Sequence, residues 1–573
     1  MDKVKEARHV ILQDSEVDIF GGETDSDEDF ILSESEVESE ENGLDYDDDY
    51  ECSSKKTRAE EEVEQHEPSS SSDRPRQYLY GKDNYKWLTK APESEGRKSI
   101  TIHLPECKQE AREMTTPLDI WSLLFPDELL EIIVKHTNEE INRRLVNLSS
   151  QPYYCETDLI EMKAFIGLLY FAGLQKDRHK NTVNMWKENG CTMYRAVMTR
   201  NRFIFLGSCL RFDDKTIRKD RQTTDRLTAI REIWDKFIEN CTKYYTPSQS
   251  CTIDKQLLGF REKFFAKVYI KSRPDKYGIK ILCLNDSRTF YMLNAIPYTG
   301  KVVTERLENI PSYYVRQLSI PIHGTGRNIT CNSWFTSIEL INMMKREYSL
   351  TMVGTIRKNK RQIPFVFQRS AFVGDARYVY TNEMTLLSYT PKKNKVICLV
   401  SSLHRNKGKT DVEIKKPEIV SYYNSTKGGT DTFDFLCKSY STCRKTKRWT
   451  MRLFFGMLDQ AVVNSNILYN LNDRNNAMKR YNFIEDLAIM LAGPYMQNRL
   501  QHANLQKRLR ISICAILRIE EPQPEERKHK LETRKRCYYC KNTADKKTWI
   551  CCFMCGKPIC EQHRTYVCLD CKT

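Results

Sequence analysis

Four pairs of metal-type ligands crowd the C-terminal stretch. Cys537-x2-Cys540, Cys552-x2-Cys555, Cys560-x2-His563 and Cys568-x2-Cys571 fall within 35 residues. Two intervening residues let one turn aim both side chains at a single ion, and thiolate with imidazole suits tetrahedral Zn2+. Eight ligands make two sites. Interleaving the pairs gives Cys537, Cys540, Cys560 and His563 to one ion, and Cys552, Cys555, Cys568 and Cys571 to the other. Cys551 is spare, because only Cys552 keeps the two-residue spacing to Cys555. So short a segment buries too little apolar surface to fold alone, and two structural zinc ions are expected. Its ligand stays open between DNA, a histone tail and another protein. A second candidate is Trp449, which follows the basic run Arg444-Lys-Thr-Lys-Arg448. An aromatic among cations suits stacking on a flipped base, with phosphate contacts from Lys447 and Arg448. The plainer alternative is a core tryptophan at a helix start.

The elements that must hold these residues can be read from periodicity. Apolar spacing of three to four predicts helices through 115–249, as in Asp127–Val134, Ile160–Leu169 and Leu227–Tyr245. From about 250 the texture turns to β: Phe264–Ile270, Ile279–Leu284 and Phe290–Ile296, then Asn328–Cys331 and Leu350–Ile356 around a helix at Trp334–Arg346. Strands followed by a strand–helix–strand unit predict an α/β core. Residues 359–417 are basic, polar and irregular. The β texture resumes at Glu418–Tyr423, and long helices are expected near 450–472 and 482–501.

The 573 residues carry a formal charge of +14, and that figure hides a split. Residues 1–70 hold 25 acids and 6 Lys or Arg, a net of −19, so the remainder carries +33. A strongly basic body is the footprint of a polyanion binder, most often nucleic acid. The acidic segment is expected to be disordered, either as a solubilising tail or as a phosphorylatable competitor for the basic body. No run of eighteen uncharged apolar residues occurs, and the first residues lack a basic-then-apolar leader pattern, so no membrane partner and an intracellular site are expected. Arg527–Lys530 and Arg534–Arg536 read as a nuclear localisation signal or a DNA-tracking linker, and the nucleus is the expected compartment.

Three segments resemble the piggyBac family of transposases: Cys251–Arg261 (CTIDKQLLGFR), Arg327–Ser337 (RNITCNSWFTS) and Tyr422–Asp434 (YYNSTKGGTDTFD). Lys276–Ile281, Val353–Lys360 and Arg444–Trp449 match as well, and the resemblance runs in order from about 115 to the cysteine module. It implies an RNase H-like fold whose three aspartates hold two divalent ions, Mg2+ when active, for cut-and-paste transposition of double-stranded DNA at TTAA sites. It also implies a homodimer and places Arg357 and Lys360 near target DNA. On this basis the chain divides into an acidic disordered region 1–102, helices 103–249 and 441–519 forming one split dimerisation and DNA-binding domain, an RNase H-like core 250–358 and 418–440 interrupted by an insertion 359–417, a basic linker 520–535 and a cross-brace zinc domain 536–573.

Carried over position by position, the catalytic residues are Asp254 and Asp431 with Asp434 nearby. The second catalytic position holds Asn332 where the family has aspartate. Mg2+ prefers charged oxygen ligands, and asparagine offers one neutral oxygen. The sequence therefore predicts a DNA-binding protein derived from a transposase, with cutting impaired. The alternatives are an active transposase and a chromatin or protein reader built around the zinc domain.

Overall fold

The computed structural model describes residues 77–92, 103–148, 151–271, 273–300, 309–404, 416–472, 477–502, 505–520, 530–540, 545–552 and 556–563. They fall into two compact units, one formed by described residues within 114–236 and 439–563, the other by those within 77–113 and 237–438. The acidic stretch 1–76 lies outside the described residues.

The second unit is built on a sheet. Its strands are β1 (Tyr78–Tyr80), β2 (Lys86–Leu88), β5 (Ser250–Gly259), β6 (Val268–Tyr269), β7 (Tyr277–Asp286), β8 (Met292–Pro297), β9 (Asn328–Cys331), β10 (Thr351–Ile356), β11 (Ala376–Tyr380), β12 (Thr385–Lys392) and β13 (Lys395–Ser401). The short strands β3 (Glu106–Cys107) and β4 (Tyr245–Thr246) pair separately. Among the described residues the order is β1-β2-β11-β12-β13-β10-β9-β5-β7-β6, with β8 also on β7. β9 runs parallel to both β10 and β5, while β5, β7 and β8 form an antiparallel set. The register matters for chemistry. Ile253 faces Cys331 across the β5–β9 pair, so the next step along both strands brings Asp254 beside Asn332.

Four expectations need correction. The region 1–102 is not disordered throughout, because β1 and β2 lie within it and pair into the sheet beside β11. Glu418–Tyr423 is not a strand; Glu418–Thr426 is a helix. Its Ile, Val and Tyr favour strands, but Pro417 sits at the N-cap and Glu418 suits the helix dipole there. Packing then decides, since Ile419 and Val420 bury against Val353, Leu387 and Leu399 of the sheet. Residues 359–417 are not irregular throughout, because β11–β13 fall within them and continue the sheet beyond β10. The helical part expected to run to 249 gives way earlier. The Tyr291 hydroxyl donates to the Cys241 carbonyl and the Thr242 hydroxyl to that of Leu293, each at 2.9 Å, which ties 237–249 to the sheet unit.

The helical unit buries long apolar helices. Leu159–Leu174 starts at an Asp158 cap and is buried on almost every side. Gly167 lets it approach the helix Arg480–Leu500: a Cβ there would lie 2.8 Å from the Ala488 carbonyl oxygen. No helix among the described residues is long and apolar enough to cross a membrane.

A cluster of arginines converges on one buried acid in this unit. Glu140 accepts from Arg143 at 2.8 and 2.9 Å, from Arg144 at 2.7 Å and from Arg211 at 3.0 Å. Burial alone would raise its carboxyl, but Arg143, Arg211 and Arg144 together hold it down at about 2. Its contribution is therefore present above the ordinary carboxylate range and is lost as pH falls from about 4.5 towards 2. Glu140→Gln leaves three guanidinium groups without their anion and is expected to destabilise this unit by about 3–5 kcal/mol at pH 7. Urea unfolding of both proteins at pH 7 and pH 3 checks this, with the gap narrowing at the lower pH.

Candidate catalytic site and candidate metal centre

Asp254 and Asn332 emerge side by side from β5 and the end of β9. The Asn332 Nδ2 group donates to Asp254 Oδ1 at 2.8 Å, and its Oδ1 accepts the Trp334 backbone N–H at 2.9 Å. These two partners fix the amide orientation, because a backbone N–H can only donate and a carboxylate only accept. Asp254 Oδ1 also accepts the Lys255 backbone N–H at 2.8 Å. Burial first, and the Asp431 charge second, push the Asp254 carboxyl up to about 6.

Asp431 and Asp434 lie on the helix Gly429–Ser439. That helix is seated on β5 by small residues. A Cβ on Gly429 would lie 2.5 Å from Thr252 Oγ1, so only glycine allows this approach. The Thr252 hydroxyl donates to the Thr426 carbonyl at 2.6 Å, and the Thr430 hydroxyl to Asn285 Oδ1 at 2.9 Å. The structure thus brings all four expected residues together where the middle of β5 meets the end of β9.

Sequence reasoning missed Arg273, in the loop before β7. Its guanidinium donates to Asp431 Oδ1 at 2.7 Å and to the Lys255 carbonyl at 3.2 Å, and lies 3.7 Å from Asp434 Oδ2. Lys438 donates to the same Asp434 oxygen at 2.8 Å. Protein cations thus answer one oxygen each of Asp431 and Asp434, and an amide N–H answers Asp254, while Asp434 Oδ1 is buried without a hydrogen-bond partner. With Asn332 neutral and its oxygen held by the Trp334 N–H, this donor set offers one anionic oxygen ligand fewer than three aspartates would give a pair of divalent ions.

The C-terminal cluster does fit a metal. β14 (Lys530–Arg536) pairs with β15 (Lys547–Ile550), so residues expected as linker are strand. Cys537 follows β14 directly, and the turn Glu561–His563 returns His563 towards it. Cys537, Cys540, Cys560 and His563 place their ligand atoms within 4.8 Å of one another. Cys540 Sγ is 3.6 Å from Cys560 Sγ and 3.6 Å from His563 Nδ1, and Cys560 Sγ is 3.3 Å from that nitrogen. A tetrahedron with Zn–S of about 2.3 Å and Zn–N of about 2.0 Å has edges of roughly 3.5–3.8 Å. The Cys560 backbone N–H donates to Cys537 Sγ at 3.3 Å, which favours the thiolate. Of the second set, Cys552 is buried against Ile559, while Cys555, Cys568 and Cys571 lie outside the described residues.

The family model described as Transposase IS4 matches residues 116–466. A cryo-EM structure of a piggyBac transposase synaptic complex with hairpin DNA is similar at a TM-score of 0.71 with 38% identity, covering 82% of this chain and 99% of that one. The chain belongs to the piggyBac transposase family. Human piggyBac transposable element-derived protein 3 is 23% identical over 357 residues, 59% of this chain and 58% of that protein. Human piggyBac transposable element-derived protein 2 is 20% identical over 393 residues, 64% of each. The chain thus spans less than two thirds of either human relative. The mixed sheet with its helices fits the RNase H-like core expected of a piggyBac protein.

Of the basic residues singled out in this piggyBac chain, Arg357 is exposed just after β10, Lys360 is half-buried one turn later and Lys447 is exposed. Arg448 and Trp449 correct the sequence expectation. Both are buried, and Trp449 is only 7% exposed, so neither offers a face to DNA in this conformation. Arg448 donates to the carbonyls of Leu210 and Ser208. Trp449 opens the buried helix Trp449–Asn472, the plainer of its two readings. A tryptophan beside cations has one sequence signature whether it stacks on a base or fills a core.

Proposed function

We propose that this chain is a nuclear DNA-binding protein derived from a piggyBac transposase, with strand cutting impaired at Asn332. One contact carries it: the Asn332 amide donates to Asp254, satisfying with a neutral hydrogen bond a pair that would otherwise need a cation between two carboxylates. DNA binding is supported by family membership, by the likeness to a transposase bound to hairpin DNA, and by the charge of the chain beyond its acidic segment. Zn2+ held by Cys537, Cys540, Cys560 and His563 would be structural, closing a module whose apolar core among the described residues is very small.

A plasmid excision assay tests this. Wild type is expected to give no precise excision above background, while still binding terminal DNA in a mobility-shift assay. Asn332→Asp is expected to raise excision at least tenfold, the equivalent of about 1.4 kcal/mol at the barrier. Efficient Mg2+-dependent excision by wild type would establish the alternative, a working TTAA transposase.

A further inference from the structure

Four large apolar side chains stand in solvent within nine residues of the sheet unit. Phe365 and Val366 are 53% and 49% exposed on the short helix Phe365–Gln368, and Phe372 and Val373 are 76% and 59% exposed on the next turn. Neither segment is loose. Phe367 is buried on the inner side of the helix, and its carbonyl accepts the Ser388 hydroxyl at 2.9 Å. The second turn closes through the Asp375 N–H to the Phe372 carbonyl at 3.0 Å, with Gly374 at φ +92, where glycine is favoured. Arg377 ties the two together. It donates to the Val366 carbonyl at 2.8 Å and pairs with Asp375 at 2.8 Å. The apolar residues are therefore held outward on a braced platform.

The surroundings are cationic. Residues 357–377 hold six Lys or Arg and one acid, Asp375, which is already paired. The Arg369 guanidinium lies 4.1 Å from the Phe365 ring centre. The Gly374 N–H donates to the Thr390 carbonyl at 2.9 Å, which sets Phe372 beside the tip of the β12–β13 hairpin, where Lys392 and Lys393 are exposed.

The geometry points to this platform as a site for unpaired bases of a DNA strand, with Phe365 and Phe372 stacking on bases and the surrounding cations holding phosphates. It rests on the DNA-binding function proposed above and adds a surface that reads strand state. Exposed rings among cations, with almost no acid, complement a polyanion whose bases present flat faces. A protein interface core would instead be depleted of charge.

Fluorescence anisotropy with full-length protein tests it, using a labelled duplex and the same duplex carrying a short single-stranded gap. Wild type is expected to prefer the gapped DNA. Phe365→Ala/Phe372→Ala should lose about tenfold or more on gapped DNA and little on duplex, given stacking of roughly 1–3 kcal/mol per base. Phe365→Trp/Phe372→Trp should keep the preference, and both doubles should retain the wild-type circular dichroism. If wild type shows no preference, or the alanine pair leaves it intact, the platform is not a base site and a protein partner takes its place. If wild type binds neither DNA, the DNA-binding function is itself refuted.

Discussion

Asn332→Asp is expected to turn a site indifferent to magnesium into one that binds it, with affinity rising by at least tenfold. The variant would keep one oxygen on the Trp334 N–H and present the other to Asp254 Oδ1, where the amide N–H now sits 2.8 Å away. Two carboxylates at that separation repel unless a proton or cation lies between them. Asp254 is already pushed up to about 6, first by burial and then by Asp431. A folded value above the ordinary carboxylate range means a penalty that is absent below about pH 4 and grows as pH rises through 6. A further anion enlarges it. In EDTA at pH 7.5 the variant should therefore be less stable than wild type by about 1–3 kcal/mol, a gap that closes at pH 4. Magnesium should reverse the loss, since an ion bound only to the folded state stabilises it by RT ln(1 + [Mg2+]/Kd). Wild type should show no such dependence. Thermal melts across a magnesium series, with calorimetric titration, read both effects apart from any catalysis. A variant that melts like wild type and takes up no heat with magnesium would sink the charge account of this site.

The parts of the site legible from the sequence were those carried by contiguous words. Asp254, Asn332, Asp431 and Asp434 were legible only through the resemblance of their segments to the piggyBac family, and β pairing with a glycine-permitted helix approach brings them together. Arg273 was not legible. It lies in an ordinary basic loop, and its role appears only when a helix 158 residues later brings Asp431 to it. Asp286 makes the converse point. It lies on β7, fully buried, and resembles a catalytic acid by type. Yet it accepts from the Tyr245 hydroxyl at 2.8 Å, the Ser248 hydroxyl at 2.8 Å and the Arg288 N–H at 2.7 Å, which makes it a structural anchor. Local pattern also misjudged Glu418–Tyr423, where β-branched residues form a helix because its apolar face meets the sheet. Trp449 failed for a related reason: composition reports what a side chain could touch, and burial decides what it does touch.

Stripping zinc is expected to unfold the C-terminal module while leaving the rest of the chain folded. Its described apolar core is Cys552 and Ile559 with Tyr539 and Ile550 packed against them. A segment as short as 536–573 cannot bury enough apolar surface to fold alone, whereas structural zinc in small finger peptides supplies about 10–16 kcal/mol. Cys540 Sγ stands 3.6 Å from Cys560 Sγ and 3.6 Å from His563 Nδ1, and Cys537 Sγ 3.6 Å from that nitrogen, all at tetrahedral edge lengths, so little rearrangement of these atoms opposes binding. Cys560→Ser should remove one zinc per chain and make the region beyond β14 sensitive to protease. The sheet unit should melt as before, since its sheet is formed entirely within 78–401. Cys552→Ser separates one-ion from two-ion architecture. With interleaved pairs it should lower metal content from two ions to one, because Cys552 serves a second ion distinct from that of Cys560. If wild type holds a single zinc and Cys552→Ser keeps it, Cys552 is core only, and the cross-brace reduces to the one site whose geometry the chain displays. If the wild-type protein, purified in the presence of zinc, contains none and its module still resists protease, the spacing of these ligands has another cause.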